Sequence, residues 1–195
     1  MNIAHRCGQN QMSKPQHIAA PDDCRIFTIG HSTRTLDDFI ALLNAHAVSC
    51  LTDVRTVPRS SHNPQYNMES LGASMSEVGV RYAHVPELGG FRRAKPDSPN
   101  GGWRNASFRG YADYMQTKPF LQHLDALVER SRTERAALMC AEAVPWRCHR
   151  SLIADALVIR GLRVDEIVTA KRSQQHRLTS FAQVHNGTIT YPPYE

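Results

Sequence analysis

The feature that most constrains this chain is an alternation between two hydrophobic periods. Short, nearly continuous apolar runs recur along it, and stretches with apolar residues at helical spacing lie between them. Arg25–Ile29 reads as a short buried strand ended by Gly30. Thr35 then stands as an N-cap, and Leu36, Phe39, Ile40 and Leu43 follow at i, i+3, i+4 and i+7. Asp37 and Asp38 fall in the first turn of that helix, where its dipole favours negative charge. Val48–Val54 reads as a second strand from its length and β-branched content. After a loop from Arg55 to Asn67, Asn67 is placed to cap a helix over Met68–Val78, with Gly79 as its C′ residue. Val80–Val85 is the third strand.

A long irregular stretch, Pro86–Asn105, follows, and a loop of that length in a compact domain is usually functional or disordered. Helices are predicted over Phe108–Gln116 and Lys118–Ser131, the second presenting Phe120, Leu121, Leu124, Leu127 and Val128 inward. Ala136–Cys140 is a continuous apolar strand. A helix over about Cys148–Arg160, stopped by Gly161, leads into a strand over Arg163–Val168. Beyond Lys171 the chain is polar, with a short strand at Thr188–Tyr191. This order predicts an α/β fold: one domain, with a mostly parallel sheet and helices on both faces. The domain is expected over residues 23–170, with a flexible tail before it (1–22) and a C-terminal extension after it (171–195).

Composition narrows the function classes. No run approaches the roughly 18 uninterrupted apolar residues of a membrane span, so no membrane partner is expected. The first twenty residues are polar and lack the apolar core of a secretory signal. Five scattered cysteines do not form a secreted disulfide framework, which suits a reducing cytoplasm. A net charge of +5 fits an anionic ligand or a nucleic acid, and also fits a generic soluble surface.

In parallel sheets ligands bind beyond the carboxyl ends of the strands, so chemistry is sought in the loops opening at Gly30, Arg55, Pro86 and Ala141. The first supplies His31 and Ser32. The second supplies Asp53, Arg55, Arg59 and Ser60. A carboxylate in an apolar strand needs a partner. Because neighbouring strand residues point to opposite faces, Asp53 is expected to pair with a residue from another strand end rather than with Arg55. Arg55 and Arg59 offer planar forks to a phosphate or carboxylate.

The segment from Cys140 to Arg150 is the most informative. Cys148 at a helix start, flanked by Arg147, His149 and Arg150, is expected to have a lowered pKa. Glu142 is the natural acid or base, or a partner for Arg150 or His149. The expected site is therefore Cys140 or Cys148 as nucleophile or redox thiol and Glu142 with His149 as proton carriers. His31, Ser32, Asp53, Arg55, Arg59, Ser60 and Arg150 would hold substrate. No cofactor is expected. Cys140, Cys148, His149 and His31 are metal-ligand types, but standard zinc patterns place ligand pairs about two to four residues apart, and no metal is assigned. The bland alternatives are a core role for Cys140 and structural ion pairs for Asp53, Glu142 and the arginines.

Several separated motifs carry a resemblance. Thr28–Ser32, Asp53–Arg55 with Pro58–Ser60, Leu88–Gly90, Tyr111 with Tyr114 and Met115, and Cys140–Glu142 with Cys148–Arg150 together resemble the bacterial family called domain of unknown function 488. The resemblance implies one shared site and no defined activity. A weaker likeness is to rhodanese and Cys-based phosphatase folds, which cradle an anion around a nucleophilic cysteine. This chain departs from their fixed short loop with a closing arginine. The leading expectation is an enzyme for a small anionic or nucleotide-like substrate. The rivals are a non-catalytic nucleotide or nucleic-acid binding module and a Cys/His metal-binding protein.

Overall fold

Six strands form one sheet in the order β3-β2-β4-β1-β5-β6. They are β1 (Arg25–Gly30), β2 (Cys50–Asp53), β3 (Arg81–His84), β4 (Ala136–Cys140), β5 (Arg163–Thr169) and β6 (Arg172–Gln175). The first five run parallel and β6 pairs antiparallel with β5. A separate hairpin is made by β7 (Gln183–His185) and β8 (Thr188–Thr190). The computed structural model describes residues 25–193; the tail expected over residues 1–22 lies outside the described residues.

The helices are α1 (Leu36–Ala45), α2 (Met68–Glu77), α3 (Ala106–Tyr114), α4 (Lys118–Arg130) and α5 (Arg150–Val158). Alternation along the strands sorts them onto the two faces. Phe27, Ile29, Ala137 and Met139 pack with Phe39 and Leu43 of α1 and Leu71 and Met75 of α2. Ile26, Ala136, Leu138 and Val164 pack with residues of α3, α4 and α5 on the opposite face. The expected layered α/β domain is thus the observed one.

Local chemistry explains most boundaries. Thr35 caps α1, its side chain accepting from the Asp38 N–H at 3.1 Å. Asn105 caps α3 through Ser107 N–H at 2.8 Å, so that helix starts two residues before the expected Phe108. Asn67 precedes α2 as expected but its side chain makes no cap; it accepts from the Ser60 N–H at 2.7 Å and ties down the loop after β2. Leu121, placed on the inner face of α4, is instead exposed. The strand β6 has no apolar period, since an edge strand is held by backbone bonds that its polar side chains do not advertise. The C-terminal segment is anchored by Tyr191, whose hydroxyl donates to the buried Asp155 at 2.9 Å and whose N–H donates to Asn100 at 2.9 Å.

The register places the site. Gly30 of β1 is paired with Cys140 of β4, and Asp53 of β2 is paired with Met139 of β4 and His84 of β3. From the adjacent ends of β2 and β4 the chain departs in opposite directions, through α2 to β3 and through α5 to β5. A crevice opens at such a reversal.

Candidate functional site

The loops after β1, β2 and β4 are stitched together by their backbones. His31 N–H donates to the Cys140 carbonyl at 3.0 Å, Ser32 N–H to Ala141 at 2.9 Å, and Val54 N–H to Met139 at 3.0 Å. Between them lies a cavity of about 680 Å³. Every residue singled out from the sequence lines it except Asp53 and Arg150.

Asp53 and Arg55 correct one expectation. They form a buried two-pronged pair, Nε to Oδ1 at 2.9 Å and Nη2 to Oδ2 at 2.6 Å. The opposite-face rule governs adjacent residues, and these two are separated by one, so their side chains share a side. A group from another strand end joins them: the Tyr82 hydroxyl of β3 donates to Asp53 Oδ2 at 2.6 Å. Arg55 also donates to the Tyr66 carbonyl at 2.7 Å and lies 3.3 Å from His31 Nε2. Its charge is paired with Asp53, and Nε and Nη2 are occupied by Asp53 and the Tyr66 carbonyl. His31 stacks on Tyr66 with ring centroids 4.1 Å apart, and its Nδ1–H donates to the Ser32 carbonyl at 2.8 Å. Burial, aided by the neighbouring Arg55 charge, draws its pKa down to about 4, so the ring is neutral.

Arg150 turns away from this cavity. It is fully buried and donates to the carbonyls of Glu142 and Ala143 and to Glu166 Oε1 at 2.9 Å. Glu166 also accepts from the Thr28 hydroxyl. The guanidinium therefore clamps the loop after β4 onto β1 and β5 and lines a second cavity, of about 700 Å³, behind that loop.

The helix α5 begins at Arg150, and Cys148 sits outside it, just after a 3-10 turn over Pro145–Arg147. The adjoining Cys148 thiol draws the Cys140 pKa down to about 7 in spite of burial; N–H groups of Glu142 and Ala141 and the Arg150 charge act the same way. The same contact, with burial, holds Cys148 protonated and its pKa well up. The lowered thiol is thus Cys140, not Cys148 as the flanking charges had suggested. The Arg150 charge and its N–H at the start of α5 act to lower the Cys148 pKa, but the Cys140 contact and burial outweigh them. His149 Nδ1 lies 3.8 Å from Cys148 Sγ, and its Nε2 lies 3.3 Å from the Val54 carbonyl. Burial draws its pKa down to about 4, so this ring too is neutral and is a poor proton carrier at neutral pH. Cys140, Cys148 and His149 are the one group among the described residues whose donor atoms suit a metal, all lying within 4.8 Å of one another.

Arg59, Arg147 and Glu142 are exposed at the cavity rim. Glu142 Oε1 accepts from Val144 N–H at 3.2 Å. Ser60 and Ser32 also line the cavity. Phe91 is 87% exposed at the mouth, in a left-handed conformation with φ of 58°.

A family model described as Domain of unknown function DUF488 matches residues 35–157, more than half of the chain. The chain belongs to this family. No curated protein and no solved structure matches it. The looser likeness to rhodanese and Cys-based phosphatases gains no support from these comparisons.

The matched DUF488 segment holds Asp53, Arg55, Arg59, Ser60 and everything from Cys140 to Arg150. His31 and Ser32 precede it and Glu166 follows it. Arg147, one of the arginines flanking Cys148 and expected to help form an anion site, is an exposed residue of the cavity lining. Glu166 went unassigned in the sequence reading. It completes the Arg150 clamp, and its signal was available: an acidic residue inside an apolar strand, the pattern that singled out Asp53. Asp53 and Arg150 lie off the cavity in ion pairs, and Arg55 lines it while paired with Asp53. Cys140, Glu142, Arg59 and Arg147 line it as well.

Among the described residues, no helix is long and apolar enough to cross a membrane.

Proposed function

We propose that this protein is an enzyme acting on a small anionic or nucleotide-like substrate, with Cys140 as its nucleophile. The observation that carries the reading is the position of the Cys140 sulfur. It stands at a strand end on the cavity wall, with the Cys148 thiol within 4.8 Å and a rim bearing two arginines outside any ion pair among the described residues. Arg59 and Arg147 would hold the anion, while Phe91 and Tyr111 supply flat apolar surface for a ring. The Cys140 thiolate would form a bond to the electrophilic centre as the leaving group departs with its electron pair. Glu142, which lines the same cavity, would take the proton from the group that displaces Cys140 in a second step.

The test is site-resolved alkylation of the folded, chelator-treated protein with iodoacetamide at pH 7. Cys140 should react well ahead of Cys148, and inorganic phosphate or a nucleoside monophosphate should slow it. An unreactive Cys140, or a rate indifferent to every anion tried, removes the basis for the proposal.

A further inference from the structure

We infer that Cys140, Cys148 and His149 form a binding site for one thiophilic cation of the zinc class. This goes beyond the nucleophile reading, which needs one sulfur, whereas a metal needs both sulfurs and the ring. The donors of all three residues lie within 4.8 Å of one another. Zinc–ligand bonds of ~2.0–2.3 Å in tetrahedral geometry set donors roughly 3.3–3.8 Å apart, so no pair needs to close by more than about 1.5 Å.

The orientation of His149 matches a ligand. A carbonyl only accepts, so the contact with Val54 puts the ring proton on Nε2. The Nδ1 lone pair is then directed at the sulfurs, with Cys148 Sγ at 3.8 Å. A ligating histidine held through its other nitrogen by a backbone carbonyl is the usual outer arrangement of a metal site. Room is kept beside Nδ1 by Gly90, where a Cβ would stand 3.2 Å from that nitrogen. The two cysteines are held independently of any ligand. Cys140 ends a core strand, and the loop leading to Cys148 is clamped by Arg150 through the Glu142 and Ala143 carbonyls.

Donor chemistry selects the ion. Two sulfurs and one imidazole are soft to borderline ligands, which disfavour calcium and magnesium and suit zinc. Two thiolates and a neutral imidazole also cancel a 2+ charge, so the buried complex carries no net charge. Three protein ligands leave a fourth position, and all three residues border the cavity. Binding would expel the Cys148 proton and occupy the lone pair that Cys140 needs for attack. The metal-loaded and nucleophilic states therefore exclude one another.

The experiment is titration of the full, reduced, chelator-treated chain with Co²⁺ and then Zn²⁺. The expected result is one equivalent of Co²⁺ bound, with thiolate-to-cobalt charge-transfer absorption in the near ultraviolet that Zn²⁺ abolishes. Zn²⁺ should slow alkylation of Cys140 and Cys148 at least tenfold. Cys148→Ser and His149→Gln, checked for folding by circular dichroism, should each weaken Co²⁺ binding at least tenfold. Absence of the charge-transfer band at one equivalent overturns the proposal, as does undiminished binding in the two folded variants. If a variant fails to fold, zinc protection of the two thiols in the unaltered chain decides alone. Alkylation in chelator measures nucleophilicity without metal, so either reading can fail while the other stands.

Discussion

Gly30 backs directly onto Glu142. A Cβ on Gly30 would run into the Glu142 carbonyl oxygen and into the backbone of Ala143. The absence of a side chain at the end of β1 is thus what lets the Cys140 loop close over it, and the His31 and Ser32 N–H bonds hold it there. Gly30→Ala should therefore displace the loop after β4, at a cost of about 1–3 kcal/mol, the usual range for overpacking. Chemical denaturation reads the stability, and alkylation reads the displacement. A variant with unchanged stability and unchanged Cys140 reactivity contradicts this account of the loop.

Arg150 and Glu166 form a buried ion pair at 2.9 Å. Removing one partner leaves the other charge uncompensated, which costs about 3–5 kcal/mol. Arg150→Met should be destabilised by that order, and by much more than Arg59→Met at the exposed rim. Thermal melting of both variants makes the comparison. Equal losses would mean that Arg150 does not clamp the loop.

Cys140 alkylation should have its midpoint near pH 7 in chelator, because the adjoining Cys148 thiol, backbone N–H groups and Arg150 favour the thiolate. Below that pH the sulfur is protonated and slow; above it the rate reaches a plateau. Cys148→Ala removes that thiol, and the midpoint should move up toward the ordinary thiol value of about 8.5. A midpoint that stays near 7 in Cys148→Ala assigns the effect to the backbone N–H groups and Arg150 instead.

His31 and His149 are held neutral by burial, with pKa values of about 4 against 6.5 for a free ring. Between those values the unfolded chain binds more protons than the folded one. Their contribution to stability is complete above pH 6.5 and is lost as the pH falls through 4. Urea midpoints should thus decline across this window. His31→Asn, which retains a donor to the Ser32 carbonyl, should flatten the decline; an unchanged slope would show that His31 does not titrate there.

Much of the fold was legible because its signals are local. The apolar run of Ala136–Cys140, the Thr35 cap and the spacing of Leu36, Phe39, Ile40 and Leu43 each lie within a few residues, and each names an element and a face. The β6 strand was not legible, since polar edge residues leave no periodic trace. Leu121 was misplaced because helical spacing defines an apolar arc without saying how far around it the sheet reaches.

The site divides in the same way. That Cys140, Glu142, Cys148 and His149 should gather with His31, Arg55, Arg59 and Ser60 follows from their places after parallel strands, which all end on one rim. Which of them face the cavity does not follow. Arg150 and Asp53 are as reactive by type as Arg59 and Glu142, yet the first two are sequestered by Glu166 and Arg55.

The sequence by itself determined the alternation of the five parallel strands with helices, and hence that these loops meet at one end of the sheet. Only the tertiary structure decided which thiol has the lowered pKa, which arginines are paired and which way the His149 ring turns. Those outcomes depend on hydrogen bonds and desolvation between residues up to 95 positions apart, as in the His149–Val54 contact, and no local spacing encodes them.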